Sequence, residues 1–302
     1  MLRVDLNCDM GESFGAYVIG ADDALLPWIS SANIACGFHA GDPAVMRRTV
    51  AAARAHGVAI GAHPGLPDLA GFGRSAMTVT PDEVHDMVVY QVGALLGFVQ
   101  AAQASEAPTG MTTASSTTGT TATRQPPGAR APGARDRAGA PGPAGIQGLA
   151  HVKAHGALYN MAARDRALAE AIAAAVRDVD PSLILFGLAG SELIGAGERA
   201  GLSTAAEAFA DRNYLRDGSL VPRARPDSLV ADPGLALERV LRMVRAGKVR
   251  SVEGADVALR ADTICIHGDG PHAVELARAL GEGLRAEGIV VVAPGVSVPA
   301  GD

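Results

Sequence analysis

Cysteine is scarce in this chain: there are three among 302 residues, Cys8, Cys36 and Cys265. An odd number of thiols near strand ends does not make a disulfide framework, so a reducing, cytoplasmic setting is expected. Basic charge is also short. Lys and Arg total 26 against 32 Asp and Glu, a net charge of −6, which argues against a duplex nucleic-acid binder. Long apolar runs are missing, and none approaches the roughly 20 uninterrupted residues of a membrane span. Arg3 and Asp5 interrupt the first apolar run, so no signal peptide is visible. Aromatic residues make up 4%, and the acidic, low-aromatic surface shows no obvious partner-binding face. The chain also lacks a GxxxxGK[ST] phosphate loop, a GxGxxG opening a helix after a strand, HExxH and paired CxxC.

What is present is a rhythm. Short β-type runs alternate with helical stretches, and the runs end in Gly-marked turns: VDLNCDMGE, NIACGFHAGD, AIGAHPG, HVKAHGALYN and TICIHGD. Strands are predicted near 2–8, 32–37, 58–62, 149–153, 183–188, 203–208, 262–266 and 289–293. This is an α/β pattern: one β/α (TIM-like, seven- or eight-stranded) barrel domain over 1–302, with a doubly wound open sheet as the alternative. Asp42-Pro43, Thr80-Pro81 and Asp232-Pro233 start helices, with Glu83 completing a capping box. Gly57, Gly247 and Gly288 stop them. Residues 104–148 break the rhythm with Thr, Ser, Gly, Ala and Pro. Such a segment has little to bury, so it is expected to be a disordered surface insertion. Its arginines (Arg124, Arg130, Arg135, Arg137) make contact with an acidic partner one option, and a tolerated loop the plainer one.

In β/α folds chemistry collects where strands end and helices begin. His39, His63, His155 and His267 all fall there, with Asp5, Asp9, Asp42 and Asp269. Asp5, Asn7 and Asp9 alternate along the first strand and share a face, suiting a divalent cation, general acid–base work or a buried tie. Glu12 lies just beyond. His39-Ala-Gly-Asp42-Pro43 and His267-Gly-Asp269-Gly-Pro271 form a quasi-repeat; the aspartates read first as helix caps, the histidines as metal ligands or proton shuttles. Lys153 and His155 also share a face, and Lys153 is a candidate cation or base. Arg74, Arg212 and Arg223 lie in polar turns where a bidentate clamp on a carboxylate is possible.

The strings DLNCDMGESFG (5–15), LLPWISSANIACGFHAGDP (25–43), GVAIGAHPGLPDLAGFGR (57–74), HVKAHGALYN (151–160), LAGSELI (188–194), EAFADRNYLRDGSLVPR (207–223) and DTICIHGDGP (262–271) together resemble the LamB/YcsF family. The resemblance implies a modified barrel of the glycoside hydrolase/deacetylase type. It also implies ATP-coupled cleavage of 5-oxo-L-proline to L-glutamate with B and C partner subunits, and no nucleic acid or membrane. ATP, with Mg²⁺, would be a co-substrate, and no tightly bound cofactor is evident. Ala154 stands where the family usually has Pro, and the insertion is unusually long. Combined with the chemistry, this makes His39, His63, His155 and His267 proton-transfer candidates. Asp9, Glu12 and Glu207 become candidates for holding Mg²⁺ or activating water. Lys153 or Arg212 takes the carboxylate or phosphoryl charge, with Asn7, Arg74 and Asp211 beside the substrate. Asp5, Asp9, His39 and His63 are the candidates should a metal be bound. Two other readings stay open: a metal-dependent deacetylase or amidase, and a non-catalytic small-acid-binding subunit.

Overall fold

The computed structural model describes residues 1–106, 148–268, 270 and 272–297. Most of the expected insertion, together with Asp269 and Pro271, therefore lies outside the described residues.

Parallel strands and helices alternate in the order β1 (Arg3–Met10), α1 (Asp22–Leu25), β2 (Ser31–Ala35), α2 (Pro43–Ala55), β3 (Ala59–His63), α3 (Pro81–Glu106), β4 (Leu149–Lys153), α4 (Gly156–Ala162) and α5 (Arg166–Val179). There follow β5 (Ile184–Leu188), α6 (Glu192–Arg199), β6 (Thr204–Phe209), α7 (Pro233–Ala246), β7 (Lys248–Arg250), β8 (Asp256–Ala258), β9 (Thr263–Ile266), α8 (Ala273–Ala286) and β10 (Val290–Val291). The strand order is β1-β2-β3-β4-β5-β6-β9, and β9 pairs back to β1, so seven parallel strands close a barrel. The eighth expected strand, near 289–293, does not enter the ring. Asp5–Cys8 of β1 are already paired with β9, which leaves only Arg3 and Val4 open to Val290 and Val291. β7 and β8 form a separate antiparallel pair that the sequence pattern did not reveal.

Local chemistry sets the helix ends. The Asp42 carboxylate accepts from the Ala44 and Val45 amides at 2.9 and 2.8 Å, and Asp232 from Leu235 at 2.7 Å. Thr80 and Glu83 bond reciprocally, and Asp165 caps α5 in the same way as Asp42 caps α2. Such caps contribute about 1 kcal/mol each. α3 is long and apolar enough to cross a membrane. Its Val84, Val88, Val92, Leu95 and Val99 recur at helical spacing, are fully buried, and join the core into which α5 packs Leu168, Ile172 and Val176. One face of α3 is therefore built into the core.

The barrel interior is polar. Asp5 accepts from Ser30 at 2.6 Å and Ser31 at 2.8 Å, and Thr263 also donates to it. One layer up, Asn7 donates to Glu207 at 3.0 Å and Thr263 at 2.7 Å, while Asn33 donates to Asn7 at 2.7 Å. His151 bonds Asn33 at 2.8 Å and lies over Gly61, where a Cβ would collide with the imidazole. Every buried donor in these layers has a nearby acceptor, which a polar interior requires. The next layer is the floor of the site.

Candidate active site at the carboxyl end of the barrel

The strand ends open into a cleft of about 430 Å³. Asp9, His63, Lys153 and Phe209 reach it from the ends of β1, β3, β4 and β6. Arg74, His155, Arg212, Arg223 and His267 reach it from the loops that follow β3, β4, β6 and β9.

Lys153 anchors the floor and is 2% exposed. Its ammonium donates to Asp9 Oδ1 at 2.8 Å and Asn7 Oδ1 at 3.2 Å, and lies 3.0 Å from both Glu207 Oε1 and Cys265 Sγ. Burial alone would lower its pKa; the Asp9 and Glu207 charges outweigh that and hold it well above the ordinary lysine value. For Asp9, burial works upward, but His63 and Lys153 hold the carboxyl well below its usual range. The other Glu207 oxygen accepts from Tyr159 at 2.6 Å. An ammonium with three hydrogens and four partners is saturated, and it does not act as a base near neutral pH.

Beside this knot lies a histidine cluster. His63 Nδ1 is 2.8 Å from the Lys153 carbonyl, His155 Nε2 is 2.8 Å from the Phe72 carbonyl, and the two rings face each other with His155 Nδ1 3.0 Å from His63 Nε2. His39 stacks on His155 at 3.8 Å between centroids. Burial lowers the pKa of His39 well below that of a free imidazole, and brings His155 down to about 3. The loop after β3 packs directly on these rings. A Cβ on Gly65 would meet His39 Nδ1 at 2.6 Å, and one on Gly73, where φ is +65°, would meet His39 and His155 at 2.6 and 2.7 Å. Phe72 takes φ +55°, a strained value for a side-chain-bearing residue, and that turn aims its carbonyl at His155.

Across the cleft, His267 Nδ1 lies 2.7 and 3.0 Å from the two Asp211 oxygens, and its ring stacks on Phe209. Burial opposes ionisation of Asp211, but His267 wins and the carboxyl stays below its usual value. A carboxylate that fixes one imidazole nitrogen leaves the other for proton transfer. Arg212 donates from Nη2 to the Val221 carbonyl at 2.6 Å, yet its buried Nε has no partner. Burial, then the neighbouring Arg223, bring its pKa down to about 10. Arg223 makes no side-chain hydrogen bond or ion pair among the described residues. Two close guanidiniums with unused donors form a wall that fits an anion.

The LamB/YcsF family profile matches residues 4–106 and 143–297. This chain belongs to the LamB/YcsF family. It is 54% identical over 293 residues to the 5-oxoprolinase A subunit of Bacillus licheniformis, covering 97% of this chain and 99% of that protein. It is 51% identical to the Bacillus subtilis protein of the same name, over 97% of each. The crystal structure of the lactam utilization protein from Thermus thermophilus shares 44% identity with a TM-score of 0.78, covering 97% of this chain and all of that one.

Against this LamB/YcsF barrel, the expected residues sort by depth. Asp9, His63, Arg74, Lys153, His155, Arg212 and His267 line the cleft, and Glu12 and His39 sit behind the histidines. All four strand-end histidines lie at the same barrel end. Five of the expected residues are held by other side chains of the barrel. Asp5 is four residues below Asp9, about 13 Å along the strand, and ties three hydroxyls instead of standing with a metal site. Asn7 is fully buried in the layer beneath. Glu207 is held by Lys153, Asn7 and Tyr159. Asp211 orients His267. Lys153 is a buried keystone at the cleft floor. Asp42 is a helix cap, as its position before Pro43 suggested. Sequence reasoning passed over Tyr159, which only its bond to Glu207 marks, and His151, whose partner Asn33 is 118 residues away.

Proposed function

We propose that this chain is the A subunit of an ATP-dependent 5-oxoprolinase, opening the lactam of 5-oxo-L-proline to L-glutamate together with B and C subunits in the cytoplasm. The relatives' names support the reading, and the observation that carries it is the pairing across one cleft of an anion wall, Arg212 and Arg223, with an Asp211-oriented His267. 5-Oxoproline is a small carboxylate joined to a five-membered lactam. Its carboxylate fits the guanidinium wall through charge-assisted bonds. That leaves the lactam carbonyl and ring nitrogen toward the histidines.

Water adds to the carbonyl carbon, the C–N bond breaks, and the ring nitrogen leaves as an amine with a proton. His267 supplies the proton movement: it takes one from the attacking water and returns it to the nitrogen. The unstrained lactam resists this; phosphorylation of the amide oxygen by ATP, with Mg²⁺, would release ADP and make the carbon attackable, so that C–N cleavage leaves γ-glutamyl phosphate, which a second water hydrolyses to L-glutamate and inorganic phosphate. The chain has no nucleotide motif, so that step is assigned to its assembly with the partner subunits.

Binding of 5-oxoproline to the isolated chain, followed by calorimetry, tests the site. Arg223→Ala removes one wall cation, a charge-assisted contact of about 1.5–3 kcal/mol, and should weaken binding roughly 10–100-fold. Unchanged affinity would move the carboxylate elsewhere.

A further inference from the structure

The histidine cluster contains a contradiction that a proton count exposes. Main-chain carbonyls only accept, so His63 carries its hydrogen on Nδ1, toward the Lys153 carbonyl, and His155 carries its own on Nε2, toward the Phe72 carbonyl. The facing nitrogens, His63 Nε2 and His155 Nδ1, are then bare lone pairs 3.0 Å apart. Two lone pairs at that separation repel unless a cation lies against both. Beside them, His39 has no exposed surface and neither of its ring nitrogens has a hydrogen-bond partner. Glu12 Oε1 lies 3.7 Å from His39 Nε2 and 3.9 Å from His155 Nδ1.

We propose that Glu12, His39, His63 and His155 form a site for a divalent first-row transition metal of the zinc class. One ligand atom from each falls within 4.8 Å of the others. Tetrahedral bonds of about 2.0–2.1 Å put ligand atoms about 3.3 Å apart. The observed spacings of 3.0, 3.7 and 3.9 Å straddle that value. The backbone bonds of His63 and His155 are the orienting contacts that metal-bound imidazoles make through their second nitrogen.

A proton shared on His63 Nε2, with Asp9 Oδ2 3.4 Å from that nitrogen to balance its charge, would relieve the His63–His155 clash, but it would leave His39 with two unmet nitrogens. Burial also keeps His39 and His155 neutral, the form that binds metal. His39 lies nearly parallel to His155, at 6°, so its ring must turn about Cβ–Cγ to aim a lone pair at the ion. The turn breaks no hydrogen bond, because the ring makes none. His63 and His155 line the cleft, so the ion would sit at its wall, next to where a carbonyl oxygen or water would bind. This site does not depend on which substrate the cleft takes.

The test uses the full chain, stripped with chelator, dialysed and titrated with Zn²⁺ alone at neutral pH. About one tight equivalent per chain is expected, and zinc-edge absorption should show nitrogen and oxygen neighbours near 2.0–2.1 Å without sulfur. Glu12→Gln and His63→Gln, each checked for an unchanged fold by circular dichroism, should weaken binding beyond the ~10–100-fold typical of losing a group that merely orients a ligand. No stoichiometric binding would overturn the proposal in favour of a shared proton. Sulfur at about 2.3 Å would overturn it too, because the ion would then sit at Cys265 with Asp9 and His267. Binding indifferent to both substitutions would likewise overturn it.

Discussion

Replacing Lys153 by Met removes the ammonium while keeping most of the side-chain volume. Asp9 and Glu207 then remain buried without the cation that held them, and Asn7 Oδ1 loses a donor. Breaking a buried ion pair from one side costs about 3–5 kcal/mol. For a chain of this length, with an unfolding entropy of about 2.1 cal/mol/K per residue, that lowers the melting temperature by about 5–8 °C. Adding Glu207→Gln should recover part of the loss, because a neutral amide no longer needs the ammonium; the double-mutant cycle therefore reports a coupling of about 1 kcal/mol or more. Calorimetry of the three variants reads this directly. A Lys153→Met melt within 1 °C of the parent, or strict additivity in the cycle, would refute the keystone role and restore Lys153 as a candidate working group.

Acid should weaken the fold through His151, whose pKa burial, and then Lys153 and His63, bring down from 6.5 to about 3. The unfolded chain takes up that proton below pH 6.5 while the folded one refuses it until about 3, so this share of stability is present above 6.5 and lost on acidification, by up to ~1.4 kcal/mol per pH unit. Asp5, raised by burial to about 6, works in the opposite direction between about 6 and 3.8. The informative readout is therefore the urea midpoint of His151→Gln against the parent, a gap that should narrow from pH 6.5 toward 4; a constant gap would contradict the assignment. Deleting residues 107–145 should leave cooperative unfolding and melting temperature unchanged, since the segment lacks apolar side chains to bury; loss of cooperativity would show that it joins the core.

The helix starts and the strand ends were legible because their causes are local. A carboxylate or hydroxyl before Pro, a Gly at positive φ and a run of small apolar residues act within a few positions of themselves. The convergence of His39, His63, His155 and His267 was legible for the same reason, since parallel strands send every strand-to-helix turn to one end. The division of labour among the acids was not. Asp5, Asn7 and Asp9 look equivalent on one strand face, and only partners on other strands separate the Asp5 tie from the Asp9–Lys153 pair. Glu207 is 54 residues from Lys153, and Asp211 meets its imidazole across 56, distances over which no spacing rule operates. The eighth strand failed for a topological reason: its residues have the right composition, but β9 had already taken the edge of β1.

The most direct test is glutamate release from 5-oxoproline and ATP by the purified chain, alone and with the B and C subunits proposed as its partners, alongside the same assembly carrying Asp211→Asn. The account predicts little 5-oxoproline-dependent ATP hydrolysis by the chain alone and turnover on adding the partners. It also predicts a loss of about 10²–10⁴-fold in the Asp211→Asn assembly while 5-oxoproline still binds. Full turnover by the lone chain, or an Asp211→Asn assembly as fast as the parent, would contradict it.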